Sequence, residues 1–185
     1  MRRRILTAAL MAGLALTGCD RPKPRHLPPD PMAQGPPPVG PVAPPTEGLS
    51  KGLAKRSEPA GFFLDHAGAA ADPRSRQPAV TPADRPIVLD GFGFDPVART
   101  PGKGVDVVVD GKAYGAAYGA ARKDVATYFK APGLVDVGFK AILPVGTLAA
   151  GRHTVTVRVV AADGKGYFDS PAVPFEVRLA SGRGH

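Results

Sequence analysis

Cysteine occurs once in these 185 residues and tryptophan not at all. A lone cysteine has no partner within the chain, so no intramolecular disulfide braces the fold. Aromatic residues make up only 6% of the sequence, which leaves any core to rest on Val, Ile, Leu and a few Phe side chains. A long apolar run is also missing. The stretch from Ile5 to Leu16 carries no charge but covers only about a dozen residues, roughly 18 Å as a helix against a hydrocarbon core of about 30 Å. Serines are few (Ser50, Ser57, Ser75, Ser170 and Ser181), and none sits in a nucleophile-elbow motif. The histidines, His26, His66, His153 and His185, lie far apart and show no metal-ligand spacing. Pro101-Gly102-Lys103-Gly104 lacks the spacing of a phosphate-binding loop. These absences speak against catalysis, and neither a metal nor any other cofactor is expected.

What is present begins at the N-terminus. Arg2, Arg3 and Arg4 precede the short apolar run, and Leu16-Thr17-Gly18 places small residues before Cys19. A basic start, an apolar core and a small-residue cut site are the parts of a secretory leader, read here as residues 1–18. Leu16-Thr17-Gly18-Cys19 resembles the bacterial lipobox, in which the cysteine thiol receives a diacylglyceryl group and the leader is cut before it. That resemblance implies lipid attachment at Cys19; an ordinary secretory leader followed by a chance cysteine is the alternative. More than one acyl chain gives stable anchoring, whereas a single chain binds only marginally. Asp20 is similar to the inner-membrane retention signal of enterobacterial lipoproteins, which implies a periplasm-facing location. The formal charge is +8, and three of the cations lie in the leader. Export and the lack of a basic–aromatic stripe exclude nucleic acid as a partner.

From residue 19 to residue 59 the composition is that of a proline-rich linker, with Pro36-Pro37-Pro38 and Pro44-Pro45 in it. Such a segment cannot bury enough apolar surface to offset its ordering entropy. It reads as an extended spacer at about 3.1 Å per residue, with Leu49 to Arg56 as a possible short basic helical turn. Residues 60–180 change pattern again, to short alternating strands and turns, and residues 181–185 read as a tail.

Val105, Val107 and Val109 alternate against Asp106, Val108 and Asp110, and Val155, Val157 and Val159 alternate against Thr154, Thr156 and Arg158. Asp110-Gly111 is a type I′ hairpin signal, and Asp163-Gly164 marks a second turn. Gly91 and Gly93 predict a bulge or tight turn within the strand from Pro86 to Asp95. About seven strands with one short helix over Arg122–Lys130, capped by Asp124, predict an all-β sandwich. Gly91-Phe92-Gly93-Phe94-Asp95, Val107-Val108-Val109-Asp110-Gly111, Tyr118-Gly119-Ala120-Ala121-Arg122-Lys123-Asp124-Val125, Gly138-Phe139 and Leu148 to His153 together resemble a recurrent immunoglobulin-like module of bacterial exported proteins. The likeness spans most of residues 86–178, and Phe92 stands where that module usually has tryptophan. It implies an immunoglobulin-like sandwich and no single activity.

Tyr118, Arg122 and Asp124 form the candidate binding constellation. An aromatic ring beside a guanidinium can stack on a sugar and hold its hydroxyls or a carboxylate. The same residues also fit a structural role, with Asp124 as cap, Arg122 paired locally and Tyr118 closing the sandwich edge. Asp90, Asp95 and Asp106 lack calcium-loop spacing and read as turn formers. The expected function is a non-catalytic, lipid-anchored envelope protein presenting its module to an envelope protein or a cell-wall glycan. A structural subunit and, more remotely, a glycan-processing enzyme are the alternatives.

Overall fold

The computed structural model describes residues 47–75 and 79–179. Cys19, Asp20, the leader, the linker as far as residue 46 and the tail from residue 180 lie outside them. In chain order the strands are β1 (Ala54–Lys55), β2 (Gly61–Ala67), β3 (Ala70–Ala71), β4 (Ala79–Pro82), β5 (Ile87–Phe94) and β6 (Gly104–Val109). They continue as β7 (Lys112–Gly115), β8 (Ala117–Ala121), β9 (Asp136–Leu143), β10 (Gly151–Val160), β11 (Gly166–Asp169) and β12 (Val173–Arg178). One sheet runs β1-β11-β10-β12-β4, with β6 on the other flank of β10 and β7 beyond it; the second runs β3-β2-β5-β9-β8. This is the expected all-β sandwich. The expected strands are present, and several short segments add to them.

The hub is β10, whose first half pairs with β12 and whose second half pairs with both β11 and β6. Its alternation is as expected, with Val155, Val157 and Val159 all buried. They meet Leu64, Leu89, Phe139 and Leu143 of the second sheet, and Phe168 and Phe175 fill the same core. Each such side chain contributes about 1.5–3 kcal/mol by leaving water, which is how the domain manages without a disulfide. Asp110 (φ 49°) and Gly111 (φ 84°) form the two-residue connection from β6 to β7, the positive φ pair that a type I′ turn requires.

The sequence expectation fails at β6. All six of its residues are buried, including Val108 and Asp106, because residues 47–56 lie across the face that alternation assigned to solvent. Leu49 and Ser50 donate their backbone N–H groups to the Asp106 carboxylate, each at 2.8 Å. β1 then adds a short parallel ladder to β11. The stretch from residue 47 to residue 59, assigned to the linker by composition, thus holds a strap packed on the sheet. Its Leu49–Arg56 part forms turns and a strand, not a helical turn. Asp106 is accordingly no turn former, and Asp90 lies within β5. Asp95 does form a turn, accepting from the N–H groups of Val97 and Ala98, each at 2.9 Å.

β5 itself runs unbroken through Gly91 and Gly93. The irregularity falls instead in its neighbour, where Leu64 pairs with Gly91 and His66 with Asp90, leaving Asp65 unpaired as a bulge. The expected helix is shorter than its pattern, Lys123–Tyr128, with Arg122 at the N-cap and no side-chain cap bond. Asp124 sits inside the first turn because its carboxylate is drawn to the Arg122 guanidinium. The helix, α1, ends with Ala131 N–H on the Ala126 carbonyl and Lys130 N–H on that of Thr127, a Schellman closure. Lys130 takes the left-handed position (φ 50°).

A clasp closes the opposite end of the sandwich. His153 Nδ1 lies 2.6 Å from Asp110 Oδ2 and Nε2 lies 2.9 Å from the Ala149 carbonyl oxygen. Two acceptors call for two N–H groups, so the geometry fits the imidazolium. Burial lowers the His153 pKa, but the bonds to Asp110 and Ala149 and the Asp110 charge outweigh it and raise the value above 6.5. Asp110 is held below 3.8, its own desolvation being outweighed by bonds from His153 and Thr154. The sign follows from both. His153 adds stability in full below its unfolded value near 6.5 and loses it as pH rises through the folded value; Asp110 loses its part as pH falls below about 4. Chemical denaturation is expected to show stability falling by under about 1 kcal/mol from pH 6 to pH 8.5. His153→Gln should flatten that change, and an equal decline in the variant would disprove the clasp.

Candidate functional site

The two sheets leave part of the second sheet's outer face uncovered, and the site lies there. On β5, Ile87 and Leu89 face the core, so Phe92 and Phe94 project from the opposite face by the two-residue alternation of a strand. On that face α1 and the 3-10 turn Pro132–Leu134 enclose a second small core of Phe94, Val125, Leu134 and Val137. Phe92 and Phe129 are half-buried against it. The aromatic rings run on from one to the next: Phe63 stacks on Phe92 at 6.2 Å, and Phe92 and Phe94 meet Phe129 edge-on at 6.1 and 5.1 Å. Tyr128 meets Phe129 edge-on at 5.0 Å and is itself 81% exposed.

Between α1 and β2, Phe63, Phe92, Tyr128 and Phe129 line a cleft of about 570 Å³ that also contains Phe62, Asp65, Arg122, Asp124 and Val125. Its volume is in the range of small-ligand sites, about 300–1,000 Å³. Arg122 organises the polar side. Nε and Nη2 donate to Asp124 at 2.9 and 2.7 Å, and Nη1 donates to Asp65 at 2.7 Å. The guanidinium carbon lies 5.3 Å from the Phe92 ring centre, adding a cation–π contact.

The bulge in β2 explains how Asp65 reaches this position, since an extra residue in a strand re-aims its side chain. The Asp65 carbonyl leaves the ladder and accepts from Asp72 N–H at 2.8 Å. Asp124 is lowered to about 2, chiefly by the hydrogen bonds from Arg122. Asp65 moves the other way: burial pushes it up more than Arg122 pulls it down. Arg122 and Asp65 also border a second depression of about 280 Å³ with Asp90, Gly91, Ala120 and Lys140.

Of the three candidate residues, the fold brings Arg122 and Asp124 together and sends Tyr118 elsewhere. The Tyr118 hydroxyl donates to the Gly93 carbonyl at 2.7 Å and accepts from Gly102 N–H at 3.1 Å. Burial raises its pKa, and its ring packs on the main core. Tyr118 thus braces β8 against β5 and does not line the cleft. Sequence reasoning missed Phe62, Phe63, Asp65, Tyr128 and Phe129 as site residues. A signal was present in the adjacent pair Phe62-Phe63, because neighbouring side chains of a strand point to opposite faces and one of the two rings must leave the main core.

Fold and cleft together define a two-layer β-sandwich with an aromatic site outside its main core. No family model matches this chain, and neither curated proteins nor solved structures give a match.

Proposed function

We propose that this chain is a membrane-anchored lipoprotein of the cell envelope whose immunoglobulin-like module binds a cell-wall glycan at the cleft between α1 and β2. The observation that carries this reading is the aromatic floor beside Arg122, Asp65 and Asp124. A sugar ring offers an apolar face to such rings and hydroxyls to such charges. The adjoining depression shares Asp65 and Arg122 with the cleft, which suits a chain of repeating units better than a single small molecule. Tyr128 supports the reading further, because a ring 81% exposed contributes little to the core and is free to stack. The anchor rests on the likeness of Leu16 to Cys19 to a lipobox, and the linker gives the module reach beyond the membrane surface.

The full chain is expected to be retained on insoluble cell-wall polysaccharide, and Tyr128→Ala to weaken that retention about tenfold, the upper range for one aromatic contact. Because Tyr128 is exposed, the variant should unfold at the wild-type denaturant midpoint. Expressed in bacteria, the chain should incorporate labelled fatty acid, and Cys19→Ala should abolish incorporation. No retention of the wild type would overturn the glycan reading; unchanged labelling in Cys19→Ala would overturn the anchor.

A further inference from the structure

The cleft's charges specify which kind of glycan fits it. Among the described residues Arg122 is the only cation lining it, and it faces two carboxylates there, Asp65 and Asp124. Its side-on fork, Nε with Nη2, is filled by Asp124, and Nη1 is engaged by Asp65. A carboxylate or phosphate on a ligand would therefore have to share Arg122 with the protein's own two acids, using the remaining N–H groups of the guanidinium. It would also approach both of their charges. The adjoining depression adds one acid, Asp90, and one cation, Lys140. At the rim Arg74 lies over Phe62, 5.2 Å from the ring centre. Together these leave no cationic surplus among the described residues: three carboxylates stand against Arg122, Lys140 and Arg74, with His66 bonded to Asp90 at 2.8 Å. The rest of the cleft is apolar ring surface. Carboxylate oxygens accept from hydroxyl and amide groups, and aromatic faces take the C–H face of a sugar.

Resting on the glycan function proposed above, we infer that the site selects uncharged sugar units and rejects acidic ones, with Asp65 and Asp124 as the residues that enforce the rejection. This is discrimination by repulsion as well as by fit. It runs against the chain's overall positive charge of +8, which by itself would favour acidic polymers. Local and global electrostatics thus predict opposite preferences, and the comparison is decisive.

The test is titration calorimetry of the full chain with three hexasaccharides: cellohexaose and the N-acetylglucosamine hexamer, both uncharged, and hexagalacturonic acid. At least one uncharged hexamer should bind, and the acidic one should bind about tenfold more weakly or worse. Asp124→Asn, at a side chain 65% exposed, should raise the ratio of acidic to uncharged binding severalfold, with the urea midpoint of the variant read beside it. Asp65→Asn should move the ratio the same way. Acid binding equal to or tighter than uncharged binding would overturn the inference and leave glycan binding standing, as would an unchanged ratio in both variants. Failure of all three sugars, with the chain also failing to adhere to insoluble wall polysaccharide, would overturn the glycan function and this inference with it.

Discussion

Gly91→Ala is expected to be the most disruptive single-methyl change in the second sheet, costing about 3 kcal/mol or more and, if the proposed glycan function holds, abolishing retention on glycan. A Cβ at this position would stand 2.1 Å from the Phe63 carbonyl oxygen, 3.0 Å from its carbon and 3.1 Å from the Leu64 Cα. Those atoms are backbone, so no rotamer change relieves the clash; β2 and β5 must separate. Overpacking commonly costs about 1–3 kcal/mol when side chains can shift, and here they cannot. The β2 bulge sits against Gly91, and the bulged residue is Asp65. Moving β2 therefore withdraws Asp65 from Arg122 and disturbs the Phe63–Phe92 stack that forms part of the cleft. Gly93→Ala is the control, because its Cβ would meet side-chain methyls, Val159 Cγ2 at 2.9 Å and Val105 Cγ2 at 3.3 Å. It should cost about 1–2 kcal/mol and leave glycan retention intact once folded. Urea midpoints for the two variants, read beside retention on polysaccharide, check both halves. A Gly91→Ala protein of wild-type stability would refute the steric account, and one that is destabilised yet binds normally would separate the bulge from the site.

β10 is readable because its alternation of Val with Thr and Arg is set by one buried face, a local consequence of strand geometry. The Asp110–Gly111 turn is readable because both residues tolerate positive φ, again a local property. The bulge is misplaced because the glycine that permits it and the residue that bulges belong to different strands. Tyr118, Arg122 and Asp124 look like one constellation by spacing, yet Tyr118 lies on β8, where the register shifts after it, and the later two belong to the helix start. Even spacing therefore does not put them on a common face. The aromatic cleft is partly legible, since the pair Phe62-Phe63 on a strand implies that one ring must leave the main core. What that ring meets outside it depends on where α1 packs, a tertiary matter. The strap is the least legible part, for its composition resembles the linker before it and its anchoring partner is more than fifty residues away.

That partner carries the second large expected effect. Asp106 is fully buried in the middle of β6, an unusual place for a carboxylate unless its oxygens are satisfied. Its two oxygens are taken separately, Oδ1 by Leu49 N–H and Oδ2 by Ser50 N–H. Gly48 lets the strap come this close, as a Cβ there would lie 2.7 Å from that of Ala113 and 2.9 Å from Asp106 Oδ2. Arg158 backs the contact from β10, pairing with Asp169 and reaching Ser50 Oγ at 3.4 Å. Asp106→Ala removes two charge-assisted bonds and leaves both amides to find water, a loss of about 2–3 kcal/mol, or roughly 30- to 150-fold in the docking equilibrium. The loss falls on the strap before the sandwich, since β6 keeps its ladders to β10 and β7. Hydrogen exchange at the Leu49 and Ser50 amides should accelerate by that factor, with protease cutting appearing between residues 47 and 56. Asp106→Asn should behave much as Ala does, because an amide turns an N–H group toward one of the two donors. Amides in β10 should hold their protection in both variants. Uniform loss of protection would mean that the strap and the sandwich unfold as one unit, and unchanged exchange at residues 49 and 50 would mean that Asp106 does not hold the strap. In the proposed arrangement the strap is also where the linker from the membrane joins the module. Asp106 would then fix the point at which the proposed tether meets the module.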